Sequence, residues 1–133
     1  MSREALIKKA IEARELAYCP YSNFKVGAAA LFEDGNIYTG CNIENASYGA
    51  TNCAERTAIF NGVSKGNRTL RALAVIGDFN NFTYPCGICR QVICEFAESS
   101  DMKIYIIKNE NEVLEKTLED ILPGAFSKAD LDK

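Results

Sequence analysis

The sequence predicts an α/β domain with one mixed sheet of five strands and helices on its faces. Three observations lead there. Helical and strand-like periodicities follow one another in the order helix, hairpin, helix, strand, helix, strand, strand. Asp34-Gly35 sits between two strand-like runs and is a strong hairpin signal. Residues 70–77 form an almost unbroken apolar run, as expected of a strand buried on both faces. The 133 residues fit a single domain, 1–133, with room for a real core.

Each element has its own signal. Ser2 can cap a helix over residues 2–17, where Leu6, Ala10, Ala13 and Ala17 repeat at helical spacing beside Ile7 and Ile11. Cys19-Pro20 ends it, because the residue before a proline is pushed out of the helical region. A polar loop at 21–23 precedes a strand over 24–32. Gly27-Ala28-Ala29-Ala30 within that strand is small, so something packs close against it. Residues 37–41 are the return strand. Residues 42–52 lack apolar periodicity and outlast most connections in a compact domain; such loops are often functional. A helix starts near Cys53 and fades at Gly62 or Gly66. After the 70–77 strand, a loop carries Phe79, Phe82 and Tyr84. Pro85 then precedes a helix from Cys86 to about Ala97, with Ile88, Val92 and Phe96 at helical spacing. A strand at 103–108, a turn at 109–112, a short edge strand at 113–117 and a helical turn at 118–122 complete the chain before Pro123-Gly124-Ala125-Phe126.

The totals exclude several functions. Apolar residues make up 47% and charged residues 25%, a soluble composition. No apolar run approaches the roughly 20 residues of a membrane span. The N-terminus lacks the basic-then-apolar layout of a signal peptide, so the expected location is the cytoplasm. A net charge of −3 with scattered Lys and Arg disfavours a nucleic acid polymer as partner. Six cysteines without a secretion signal point to reduced thiols, metal ligation or catalysis rather than three disulfides. There is no histidine, which rules out Ser-His and Cys-His pairs and leaves Cys, Asp or Glu to hold any zinc.

The cysteines are placed to converge. If strands 37–41 and 70–77 run parallel, the helices that follow them begin at one edge of the sheet, where open α/β folds bind ligands. Cys53 lies in the first turn of one helix, and Cys86 and Cys89 lie in the first turn of the other. Three thiolates leave zinc one open position, the mark of a catalytic site, and water there is a hydroxide source near neutral pH. Glu55 is two residues past Cys53 and is the candidate proton carrier. Arg56 is placed to hydrogen-bond the thiolates and offset their charge, with Arg90 and Gln91 as further supports for the ligands. Other readings stay open. A Cys-x-x-Cys pair can be a redox pair or core. Glu55 fits a capping box with Asn52 as N-cap. Cys94 is a conceivable fourth ligand, but five residues past Cys89 it points away and is expected to pack in the core, as are Cys19 and Cys41.

Cys53-Ala54-Glu55 followed by Pro85-Cys86-Gly87-Ile88-Cys89-Arg90-Gln91 resembles the zinc-dependent cytidine deaminases, in the small homotetrameric form with three cysteine ligands. Residues 21–29, 40–48 and 122–126 are similar to that family's substrate segments. The resemblance implies a three-layer α-β-α fold, one zinc ion per subunit and hydrolytic attack at C4 of a cytosine ring. Glu55 would take the proton of the zinc-activated water, deliver it to N3 and help the amino group leave as ammonia. Phe24 would stack on the pyrimidine, and Ala54 would contact the base through its backbone. Asn42 and Glu44 would hold the ribose hydroxyls within the segment Asn42-Ile43-Glu44-Asn45-Ala46-Ser47-Tyr48. Ala46, Tyr48 and Phe126 would reach toward a neighbouring subunit of the homotetramer. A carboxylate such as Glu44 also repels a nearby 5′-phosphate, which favours a free nucleoside over a nucleotide. Two alternatives remain: a sibling deaminase acting on another aminated base or a nucleoside antibiotic, and a structural zinc module without catalysis.

Overall fold

A computed structural model describes residues 2–131. Helix α1, Arg3–Arg14, is capped by the Ser2 hydroxyl, which accepts from Ala5 N, and buries Leu6, Ile7, Ala10 and Ala13. It ends three residues before the expected Ala17, because residues 15–17 close tighter turns back to Glu12, Ala13 and Arg14. Strands β1, Gly27–Phe32, and β2, Ile37–Cys41, form the hairpin about Asp34-Gly35. Helix α2, Ala54–Ser64, leads to β3, Leu70–Ile76, then helix α3, Gly87–Phe96. Strands β4, Lys103–Asn109, and β5, Glu112–Thr117, follow, then the short helices α4, Leu118–Ile121, and α5, Lys128–Leu131. The sequence carries no strong signal for α5.

The sheet order is β2-β1-β3-β4-β5. Strand β1 is antiparallel to both its neighbours, so β2 and β3 run in the same direction, and β3 pairs with β4 in parallel. The C-terminal ends of β2 and β3 therefore share one edge with the start of β1, where Gly27 pairs with both Cys41 and Ile76. Helices α2 and α3 both begin at that edge.

The three layers follow from the pleat. One face carries Ala29, Ala72, Ala74 and Ile76 against Leu6, Ile7 and Ala10 of α1. The other carries Ala28, Ala30, Leu73 and Val75 against Ala54, Ala58 and Ile59 of α2 and Ile93 of α3. Small residues make this approach possible. A methyl on Gly27 would overlap Ala10 O and Arg14 N of α1, and a methyl on Gly40 would overlap Ala58 N and Ala54 O of α2. The clashes are with backbone, which cannot swing aside. Cys94 packs on the main core, as expected, while Cys19 and Cys41 are only half-buried. Cys41 ends an edge strand and Cys19 lies in a loop, so neither is covered on all sides.

Strand β1 starts three residues later than residue 24. The Asn42 side chain explains the delay: its Nδ2 donates to Phe24 O at 2.7 Å and its Oδ1 accepts from Val26 N at 2.9 Å. An amide side chain thus satisfies the backbone that a neighbouring strand would otherwise have paired. The 42–52 loop is similarly organised. It contains a 3-10 turn at Tyr48–Ala50, and Ile43 exchanges two backbone hydrogen bonds with Asn52. Among the described residues, no helix is long and apolar enough to cross a membrane.

A polar knot ties the hairpin to the turn after α2. Tyr38 Oη donates to Asp34 Oδ2 at 2.6 Å, and buried Asn67 donates to Asp34 Oδ2, Tyr38 Oη and Gly62 O. The Tyr38 hydroxyl, with the Asn36 backbone and Asn67 amide, lowers the Asp34 carboxyl from 3.8 to about 2.

Two outcomes follow. Gly40→Ala should cost more than about 2 kcal/mol in urea unfolding, since α2 must move off β2 as a unit. The Asp34 contribution is fully present above its unfolded value and is lost as pH falls through the depressed folded value. Wild-type protein should therefore lose thermal stability between about pH 3.8 and about pH 2 more steeply than Asp34→Asn.

Candidate active site

The edge shared by the ends of β2 and β3 holds the three cysteines. Cys53 is the N-cap of α2 and Cys86 is the N-cap of α3, while Cys89 sits in the first turn of α3. Neither cap sulfur makes a capping hydrogen bond to the backbone of its own helix, which leaves the sulfurs free to turn toward each other. The three Sγ atoms lie within 4.8 Å of one another, and Cys53 Sγ is 3.8 Å from Cys86 Sγ. A tetrahedral ion with bonds of about 2.3 Å to sulfur holds its ligands about 3.8 Å apart, so the cluster fits zinc. Among the described residues, no fourth Cys or carboxylate joins the group, and Cys94 is outside it.

Arg56 stands one turn into α2, where Nη2 donates to Cys53 Sγ at 3.3 Å. Its Nε is buried without a partner, so the guanidinium is committed to this site at some cost. A hydrogen bond from the Cys89 thiol, joined by Arg56, depresses Cys53 to about 5. Cys89 is pushed up in turn, because it holds the shared proton and is buried. An ion that displaces this proton would leave thiolates already compensated by one cation and two helix N-termini.

Glu55 projects from the first turn of α2 and is 4% exposed. Burial raises its carboxyl to about 7, with the Cys53 charge adding to the rise and Arg56 opposing it. A carboxyl poised there can both accept and donate a proton near neutrality. The capping-box reading of Glu55 fails: Cys53, not Asn52, is the N-cap, and Asn52 Nδ2 instead donates to Thr57 Oγ1 at 3.0 Å.

Glu55, Cys53, Cys86 and Ala54 line a cleft of about 290 Å³. Phe24, Asn42 and Glu44 line it too. Its size is near the lower end of small-ligand sites, about 300–1,000 Å³, and suits a small molecule better than a polymer. The Asn42 amide braces the backbone before β1, as described above. The Glu44 carboxylate accepts from Tyr21 N at 2.9 Å, Ser22 N at 3.1 Å and the Ser22 hydroxyl. The Ser22 hydroxyl contributes most to holding Glu44 below the usual carboxylate range. Gly77 is small because a methyl there would overlap the Thr83 side chain and crowd the Phe24 ring.

Several expected residues lie elsewhere. Ile43, Asn45, Ala46 and Ser47 shape the 42–52 loop but do not line the cleft; Asn45, for example, receives Ser47 N and donates its own N–H to Thr51 Oγ1. Tyr48 and Phe126 are 79% and 61% exposed and do not line their own chain's cleft. Arg90 and Gln91 make no hydrogen bond to the three sulfurs among the described residues. Arg90 donates to Pro85 O at 2.8 Å and Ile121 O at 2.7 Å, and Gln91 donates to Phe126 O at 2.7 Å. Both sit past Cys89 on α3, turned toward the C-terminal segment, so they tether that segment instead. The sequence reading gave no role to Thr51, Thr83 and Tyr84 on the cleft wall, and placed Ser22 in a substrate segment without a role of its own. Thr83 and Tyr84 lie just beyond the C-terminal end of β3, a position that by itself marks ligand-binding loops.

Comparison with known proteins agrees with this geometry. Residues 1–106 match the family described as the cytidine and deoxycytidylate deaminase zinc-binding region. The chain is 55% identical over 131 residues to a cytidine deaminase of Sporosarcina psychrophila, covering 98% of this chain and 96% of that one. It is 51% identical to a cytidine deaminase of Halalkalibacterium halodurans, with 99% of each chain covered. The crystal structure of cytidine deaminase from Burkholderia pseudomallei superposes with a TM-score of 0.88 at 46% identity, covering 95% of this chain and all of that one. The five-stranded α/β fold, the cysteine cluster and near-full-length identity above one half together make this chain a member of the zinc-dependent cytidine and deoxycytidylate deaminase family.

Proposed function

We propose that the chain hydrolyses cytidine and 2′-deoxycytidine to uridine and 2′-deoxyuridine with release of ammonia, the chemistry of pyrimidine salvage. The observation that carries this reading is the buried Glu55 carboxyl in the same cleft as three convergent cysteine sulfurs. Cys53, Cys86 and Cys89 would hold a zinc ion, which would supply Lewis-acid activation of water near neutral pH. The chain's own residues do the rest. Glu55 takes one proton from the attacking water and delivers it to N3 of the ring. It then carries the second proton of that water, from the new C4 hydroxyl, to the amino group, which leaves as ammonia as the C4 carbonyl forms. Arg56 keeps the sulfurs charge-compensated while the ring binds. Phe24 offers its exposed ring as the base platform, with Val26 behind it.

The sugar is read by groups with limited spare capacity. Asn42 has already spent one amide N–H and one lone pair on the backbone. Glu44 has accepted three donors from Tyr21 and Ser22. A hydroxyl needs one donor and one acceptor, and this pair retains one donor on Asn42 and about one acceptor site on each residue. Glu44 also disfavours a 5′-phosphate, so the substrate is a free nucleoside. Against a closed structural zinc module stands the lack of a fourth ligand in the cluster among the described residues.

Self-association as a homotetramer fits the exposed Tyr48 and Phe126, which would enter a neighbour's site, and cytoplasmic location fits the reduced thiols. Purified protein should contain one zinc per chain and convert cytidine, followed by ultraviolet absorbance; a chelator should abolish the change. Glu55→Gln should keep its zinc and lose at least about a hundredfold in kcat. Wild-type turnover by that variant would overturn the hydrolytic reading. Light scattering should give the mass of four 14.7 kDa chains; a monomer would remove Phe126 from the site.

A further inference from the structure

Ser22 has a use that its lack of any metal-binding or acid–base role conceals. Its hydroxyl donates to Glu44 Oε2, and the same oxygen accepts from Phe24 N at 3.1 Å. Its backbone N–H donates to the other Glu44 oxygen at 3.1 Å. Ser22 therefore grips both carboxylate oxygens and the backbone of the ring-bearing residue at once. The segment is shaped for this. Asn23 adopts φ 59°, and its N–H returns to Cys19 O at 2.9 Å, so the chain folds back tightly around Ser22. Glu44 comes from the 42–52 loop and is held beside this segment in turn, since its N–H donates to Tyr18 O at 2.8 Å.

We infer that Ser22 is a positioning residue that sets the sugar-reading carboxylate of Glu44 in register with the base platform of Phe24. This rests on the sugar-binding reading of Glu44 proposed above. Without the hydroxyl, Glu44 Oε2 loses its only donor among the described residues and the carboxylate can rotate away from a sugar hydroxyl. The effect falls on binding of substrates that carry those hydroxyls. The hydrolytic step, centred on Glu55 and the sulfurs, is untouched.

The test compares cytidine with 2′,3′-dideoxycytidine, which keeps the base and lacks both ring hydroxyls. Ser22→Ala should raise KM for cytidine roughly tenfold with kcat and zinc content near wild type. KM for the dideoxy substrate, which feels only the lost Phe24 N contact, should rise severalfold less than KM for cytidine, so discrimination between the two shrinks. Ser22→Thr, which keeps the hydroxyl, should restore it. Equal losses for both substrates, or no loss in a folded zinc-loaded variant, would overturn the inference. Glu44→Ala separates the two claims. If it leaves discrimination unchanged, the sugar reading itself fails; if it collapses discrimination while Ser22→Ala does not, only the positioning role fails.

Discussion

Gly40 lets helix α2 lie directly on β2, with no side chain between the strand and the backbone of Ala54 and Ala58. Almost everything at the site depends on that contact. Strands β2 and β3 are separated by β1, about two strand spacings or roughly 10 Å. Helices that follow them would normally begin too far apart for their first turns to share an ion. Pressing α2 against the sheet, on the face that α3 also covers, lets the N-caps of both helices face each other. The small Gly27 and Ala29 of β1 do the same for α1 on the opposite side, where Gly27 meets the helix backbone.

The electrostatics follow from the absence of histidine. Three sulfurs concentrate negative charge, and neutral imidazole is not available to dilute it. The compensation is local: the Arg56 guanidinium on Cys53, and the positive ends of two helices. Glu55 then faces a site that is electron-rich yet nearly neutral overall. Its own burial keeps the carboxyl close to neutrality in affinity for a proton, which a solvated glutamate would not manage.

Much of this was legible in the chain itself. The Asp34-Gly35 turn, the apolar run of β3 and the helical spacing after Pro85 are local signals, and local physics decides them. The convergence of Cys53 with Cys86 and Cys89 needed only the common direction of β2 and β3, which strand–helix order suggests. What was hidden depended on side chains partnering distant backbone. Asn42 replaces a strand along residues 24–26, so β1 begins late. Arg90 and Gln91 look like ligand supports by proximity in sequence, yet one step around α3 turns them toward Ile121 and Phe126. Ser22 reads as an ordinary loop serine until Glu44, 22 residues away, is seen to rest on it. The capping box at Asn52 failed because a cysteine took the cap position, a choice governed by the cluster rather than by helix propensity.

The split of the sulfur cluster between positions 53 and 86 has a polymer consequence. An ion bound there is a crosslink that closes a loop of 33 residues, containing all of α2 and β3. Closing a loop of that length removes conformational freedom from the unfolded chain in the manner of a disulfide, but reversibly. Metal that binds the folded cluster more tightly than the scattered thiols of the unfolded chain raises stability with its free concentration, and the melting temperature becomes a reading of zinc activity as much as of packing.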